Sequence, residues 1–157
     1  MKLSTREDIE APVEFVYRML TDVDHWERAA LRRGAEVTRE DELPGLSPGM
    51  AWRIGFGFRG KMRRVTLRLT ELDPQHRLAF AGAGEMVSGA MSLDLVSMGP
   101  KRSRLMAAIE VKPQTLTARL FLQTLSLAKA RMTRRLEMRL AQLSADIEDR
   151  YRRSLSR

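Results

Sequence analysis

The chain has no cysteine among its 157 residues, which excludes disulfides and thiolate metal sites from the outset. Its two histidines, His25 and His76, stand in contexts too different to share a metal ion. Aromatic residues make up only 6% of the chain, and no aromatic series interleaves with the basic residues as base-stacking RNA recognition requires. No apolar run approaches the roughly 18 residues of a membrane span. The opening MKLSTREDIE carries charges where a signal peptide has its apolar stretch, so export is not expected and the cytoplasm is the expected location. A Ser–His–Asp arrangement, a phosphate loop and a dinucleotide fingerprint are all missing. The glycines of GFGFRG lie inside an alternating strand with no helix following.

What is present is an ordinary globular composition, 43% hydrophobic and 31% charged. The length suits one domain over residues 1–157, burying about two-thirds of the surface of the unfolded chain. The net charge of +8 comes mostly from arginine. Arg53, Arg59, Lys61, Arg63, Arg64 and Arg68 fall on neighbouring strands, and Arg131, Arg134, Arg135 and Arg139 on one stretch of helix. A charge run is usually a solvated face, and these clusters are expected to point outward. Without stacking aromatics they argue against nucleic acid and leave weak contact with an anionic membrane surface or an acidic protein as the role of a basic surface. Nothing calls for a cofactor or metal, and no signal sets an oligomeric state.

Periodicity divides the chain. KLSTREDIE alternates weakly, as an edge strand does, with Leu3, Thr5 and Glu7 on one side. After Pro12, the residues Phe15, Val16, Met19 and Leu20 recur at helical spacing. Thr21 and Asp22 can cap a second short helix, VDHWERAALRR, whose Val23, Trp26 and Ala30 share a face and which Gly34 ends. From Ala35 to Pro113 the period is two. Trp52, Ile54, Phe56 and Phe58 share one face, with Gly55 and Gly57 opposite, a pattern that suggests a bend or bulge. Val65, Leu67 and Leu69 point inward from the next strand. A turn at Asp73 to Gln75 leads to Leu78 and Phe80, then Met91, Leu93 and Leu95, then Leu105, Ala107, Ile109 and Val111. Six or seven antiparallel strands result. Beyond Pro113 one long helix is expected to about Arg153, with Phe121, Leu125, Ala128, Met132, Leu136, Leu140, Leu143, Ile147 and Tyr151 as a continuous apolar stripe.

This order of strand, two short helices, further strands and a long C-terminal helix resembles the START-like helix-grip superfamily, or SRPBCC superfamily, of polyketide cyclase/dehydrase-like and Bet v 1-like proteins. The most specific element is the opening stretch, Ile9, Ala11, Pro12, Glu14, Val16, Tyr17, Leu20, Thr21, Asp22 and Trp26, which is similar to the family's first strand and bracket of helices. Leu69 to Phe80 is similar to its middle hairpin. The resemblance implies an α+β fold, a curved antiparallel sheet of six to seven strands with the long helix across its concave face. It also implies a cavity between them for a small hydrophobic or amphipathic molecule of lipid, polyketide or aromatic type.

Side-chain direction then gives the expected lining: Trp26 from the bracket, Trp52, Ile54, Phe56, Phe58, Phe80, Met91 and Leu93 from the strands, and Phe121, Leu125 and Met132 from the helix. Such stripes also fill ordinary cores. No catalytic group stands out: His25 reads as a surface or hydrogen-bonded residue, His76 as solvated, and Asp94 and Glu110 as outward-facing. Small-ligand binding is therefore the leading reading. A cyclase- or lyase-like enzyme of the polyketide type and an interaction module using the basic surface are the alternatives.

Overall fold

The structure is a computed structural model describing residues 1–58 and 60–156. The alternating segments form the strands β1 (Lys2–Ile9), β2 (Glu36–Arg39), β3 (Ala51–Phe58), β4 (Lys61–Asp73), β5 (Arg77–Gly84), β6 (Val87–Gly99) and β7 (Arg102–Pro113). The helical segments form α1 (Val13–Leu20), α2 (Val23–Arg32), α3 (Leu116–Ser126) and α4 (Lys129–Leu155). The strands make one seven-stranded sheet in the order β1-β7-β6-β5-β4-β3-β2, antiparallel throughout, with β1 on an edge. This is an α+β helix-grip fold, as expected.

Local chemistry explains the bracket. The Asp22 carboxylate accepts a hydrogen bond from the His25 backbone N–H at 3.2 Å, capping α2. Gly34 takes φ +86°, a conformation that side-chain-bearing residues resist, and the chain there turns from helix into β2. Among the described residues, no helix is long and apolar enough to cross a membrane.

Two expectations need correction. Register runs unbroken from Ala51↔Arg68 to Phe58↔Lys61, so β3 has no bulge at Gly55 or Gly57; shifts lie instead in β4, between Leu69 and Glu71, and in β6, between Ser97 and Gly99. The extra residue in β4 returns Leu72 to the inner face beside Leu69, where both pack with the core. The long C-terminal helix is also broken. Just before the break, Thr124 Oγ1 donates to Leu120 O and Ser126 Oγ to Gln123 O, and such back-bonding competes with helix propagation. The chain then closes with tight turns, Leu127 N–H to Thr124 O and Ala128 N–H to Leu125 O, and α4 starts afresh. The apolar stripe survives the break, for each of its residues from Phe121 to Tyr151 is buried or half-buried.

The core occupies one end of the concave face. Ile9, Leu69, Leu78, Leu95 and Leu105 of the sheet meet Phe15, Val16 and Leu20 of α1 and Leu140 and Ile147 of α4. Ser144 Oγ donates to Asp8 O and the Glu10 backbone N–H donates to Glu148, which tie α4 to the end of β1.

Candidate ligand-binding face

The inner face of the sheet is set by period two, and its two ends differ. At the end under α1 the inward residues are Leu69, Leu78, Leu95 and Leu105, each no more than 4% exposed. At the other end they are Phe56, Val65, Met91, Ile109 and Val111, all half-buried. Phe121, Leu125, Met132 and Leu136 of α3 and α4 are half-buried too, and Phe121 meets Phe58 at that end of β3. Phe56, Met91 and these four helical residues lie outside the packed core. Apolar side chains that keep water-accessible surface mark the space over this end as the candidate place for an apolar ligand.

Glycines enlarge that space. Counting by twos from Phe80 puts Gly82 and Gly84 on the inner face, and counting back from Met91 puts Gly89 there. Gly82 pairs with Leu67 on one side and Gly89 on the other, so two adjacent positions of the β5–β6 floor carry no side chain. A Cβ at Gly82 would meet nothing closer than the Thr66 carbonyl at 4.0 Å, whereas one at Gly89 would stand 2.8 Å from the Glu110 carbonyl. The first glycine leaves room; the second is needed because two strands approach.

The expected lining residues separate accordingly. Trp52 is 8% exposed and belongs to the core, with Ile54, Phe80 and Leu93 packed against it. Phe56, Met91, Phe121, Leu125 and Met132 are half-buried and lie outside the packed core. Phe58, 45% exposed, meets Phe121 edge-on with centroids 6.3 Å apart and stands at the rim. Trp26 stays on the bracket, 39% exposed, where its Nε1 donates to Leu20 O at 3.0 Å. Two shallow surface depressions lie elsewhere. One of about 300 Å³ is on the outer face around Ser4, Arg6, Asp94 and Met106, and one of about 310 Å³ is where Met1 and Pro113 meet Arg119, Leu122 and Lys129.

A polar network holds Trp52 in place. Its Nε1 donates to Glu27 of α2 at 3.0 Å, and the Arg39 guanidinium lies 5.8 Å from its ring centroid. Arg39 in turn grips Asp41 with Nε and Nη2, and Asp41 accepts from the Ala51 and Leu43 backbone N–H groups. The Arg39 hydrogen bond, then that from Ala51, hold the Asp41 carboxyl well below its usual value of 3.8. A depressed carboxylate stabilises the fold above the unfolded value and loses that contribution as pH falls through the folded one. Asp41→Asn is therefore expected to lower the melting temperature at pH 7, with the gap from wild type shrinking below about pH 4. Melting curves at pH 7 and pH 3 check this, and an equal gap at both would show that Asp41 acts without its charge.

The titratable groups considered as catalysts do not lie on the inner face at this end. His25 sits on α2, 3.1 Å from an Arg150 nitrogen; burial and then that guanidinium push its pKa down. His76 is exposed in the β4–β5 turn. Asp94 pairs with Arg77 at 2.8 Å, and Glu110 faces Lys2 and Lys112. The described residues contain no group of His, Cys, Asp and Glu that could hold a metal.

The basic cluster divides between the two faces. Arg53, Arg64 and Arg68 are exposed on the outer face, but register sets Lys61 opposite Phe58 and Arg63 opposite Phe56, both on the inner face. Arg59 lies outside the described residues. The expectation that the whole cluster points outward is thus corrected, and the signal was available, since Arg63 is two residues from inward Val65.

Residues 1–148 match the family model described as polyketide cyclase/dehydrase and lipid transport. The chain belongs to this family. Among solved structures, the ZhuI aromatase/cyclase from Streptomyces sp. R1128 is similar over 96% of this chain and 94% of its own, with TM-score 0.68 and 16% identity. A protein from Thermus thermophilus matches with TM-score 0.68 and 18% identity over 94% of this chain and 97% of its own. A START superfamily protein from Mycobacterium smegmatis matches with TM-score 0.57 and 15% identity over 87% and 97%. At such identities these likenesses speak for the fold alone. No curated protein matches the sequence significantly. For a member of the polyketide cyclase/dehydrase and lipid transport family, the concave face away from the packed core is the place to look for a ligand.

Proposed function

We propose that this protein binds a small hydrophobic or amphipathic molecule on the concave face, at the end away from α1. The observation that carries the reading is the contrast within one face: aliphatic core at one end, and at the other half-buried Phe56 and Met91 outside that core beside the bare backbone of Gly82 and Gly89. A family described by cyclisation and lipid transport fits a ligand of polyketide, aromatic or lipid type. Binding is favoured over cyclase or dehydrase chemistry because the ionisable side chains that register places on the inner face at this end, Lys61 and Arg63, are cations rather than a base paired with an acid.

The test is titration with Nile red, a neutral dye that brightens in apolar surroundings, combined with native mass spectrometry for a co-purified molecule. Wild type should bind the dye. Phe56→Ala should weaken binding roughly 10- to 100-fold, corresponding to about 1.5 to 3 kcal/mol of lost aromatic burial against the ligand. Its cost in stability should be well below the roughly 3 to 5 kcal/mol of a filled-core aromatic truncation. Full dye affinity in this variant would move the site elsewhere.

A further inference from the structure

Four arginines of the sheet are half-buried: Arg39, Arg63, Arg77 and Arg104. Three of them meet carboxylates in hydrogen-bonded pairs, Arg39 with Asp41, Arg77 with Asp94 and Arg104 with Asp8. Arg63 differs. Its Nε is shielded from solvent and has no hydrogen-bond partner among the described residues, and its Nη1 touches the Met86 sulfur at 3.8 Å. Met86 lies in the β5–β6 turn, and its carbonyl accepts from the Gln114 N–H just before α3, so Arg63 stands where the sheet meets the helical layer.

A guanidinium cannot shed its proton to escape this situation, as a lysine can. Its neighbours on the inner face are Phe56 across the strand pair, Val65 two residues on, and Lys61, another cation. Register places no acidic residue on the inner face of β3, β4 or β5 at this end. The group that matches an unpaired guanidinium fork is a planar two-oxygen anion.

Resting on the reading of this face as a ligand site, we infer that the ligand is an apolar molecule carrying a carboxylate, which pairs with Arg63 while the apolar body lies over Gly82 and between Phe56 and Met91. Arg63 is then the group that selects an acid over a neutral molecule of the same shape.

The experiment is displacement of Nile red from the full chain by decanoate and by 1-decanol, at pH 8 and physiological salt. Wild type should bind decanoate about tenfold more tightly than 1-decanol. Arg63→Gln should remove that preference by weakening decanoate alone, and Arg63→Lys, which keeps the charge without the fork, should retain part of it. Should the Gln variant misfold, Arg63→Met replaces it, since a thioether suits a site beside Phe56 and Met86. The double variant Arg64→Gln/Arg68→Gln removes two outer-face charges and should leave the preference intact. Equal affinity for acid and alcohol in wild type, a preference that survives in Arg63→Gln, or an equal loss in the outer-face double variant would each overturn the assignment while leaving the binding face standing. If neither probe displaces the dye, the binding face and the role of Arg63 fall together.

Discussion

Trp52→Ala should destabilise the protein by about 3 to 5 kcal/mol, the usual cost of removing a large aromatic side chain from a filled core. Trp52 is 8% exposed, tilts against Phe80 at 6.5 Å between centroids, and is held by Glu27 and Arg39. Truncation removes this packing and leaves the Glu27 carboxylate without the indole donor. Against a total stability of about 5 to 15 kcal/mol for a typical domain, that is a large fraction. Urea denaturation should show a lower midpoint at unchanged slope. A loss below about 1.5 kcal/mol would mean that the indole borders open space and belongs to the ligand site after all. Phe56, four residues along the same strand and on the same face, should behave in the opposite way, costing little stability and much binding.

Gly82→Leu should abolish Nile red binding, by more than about tenfold, without loss of stability. Its new side chain rises from the floor between Leu67 and Gly89, and its Cβ has 4.0 Å of clearance. Glycine within a strand is itself unfavourable by roughly 0.5 to 1 kcal/mol relative to alanine, so the replacement should hold or raise the melting temperature. The same change at Gly89 is a useful contrast. There the Cβ would stand 2.8 Å from the Glu110 carbonyl, and the backbone of β6 or β7 would have to shift. Blocked binding in a stable Gly82→Leu variant separates occlusion from unfolding. Undiminished binding would place the ligand outside the concave face.

The role proposed for Arg63 bears on ligand class within the polyketide cyclase/dehydrase and lipid transport family. A carboxylate anchor at one end of an apolar groove fixes a flexible chain in a single direction. Such orientation is what distinguishes binding one molecule from dissolving many.

The sequence by itself determined the strand–helix–helix–strands–helix order, the antiparallel sheet and the inward apolar residues of the strands, because periods of two and 3.6 are local consequences of backbone geometry. It placed Trp52, Ile54, Phe56 and Phe58 together on one face, and period two applied to Val65 also puts Arg63 inside. The break at Leu127 left a trace in the hydroxyls of Thr124 and Ser126, but the unbroken stripe concealed it. Which half of the concave face is filled was decided only by the tertiary structure. Trp52 and Phe56 look alike in sequence, yet the first joins the packed core and is tied to Glu27 of α2, and the second does neither. The separation between a sheet and a helix is set by every side chain packed between them, and that sum is not readable from any one strand.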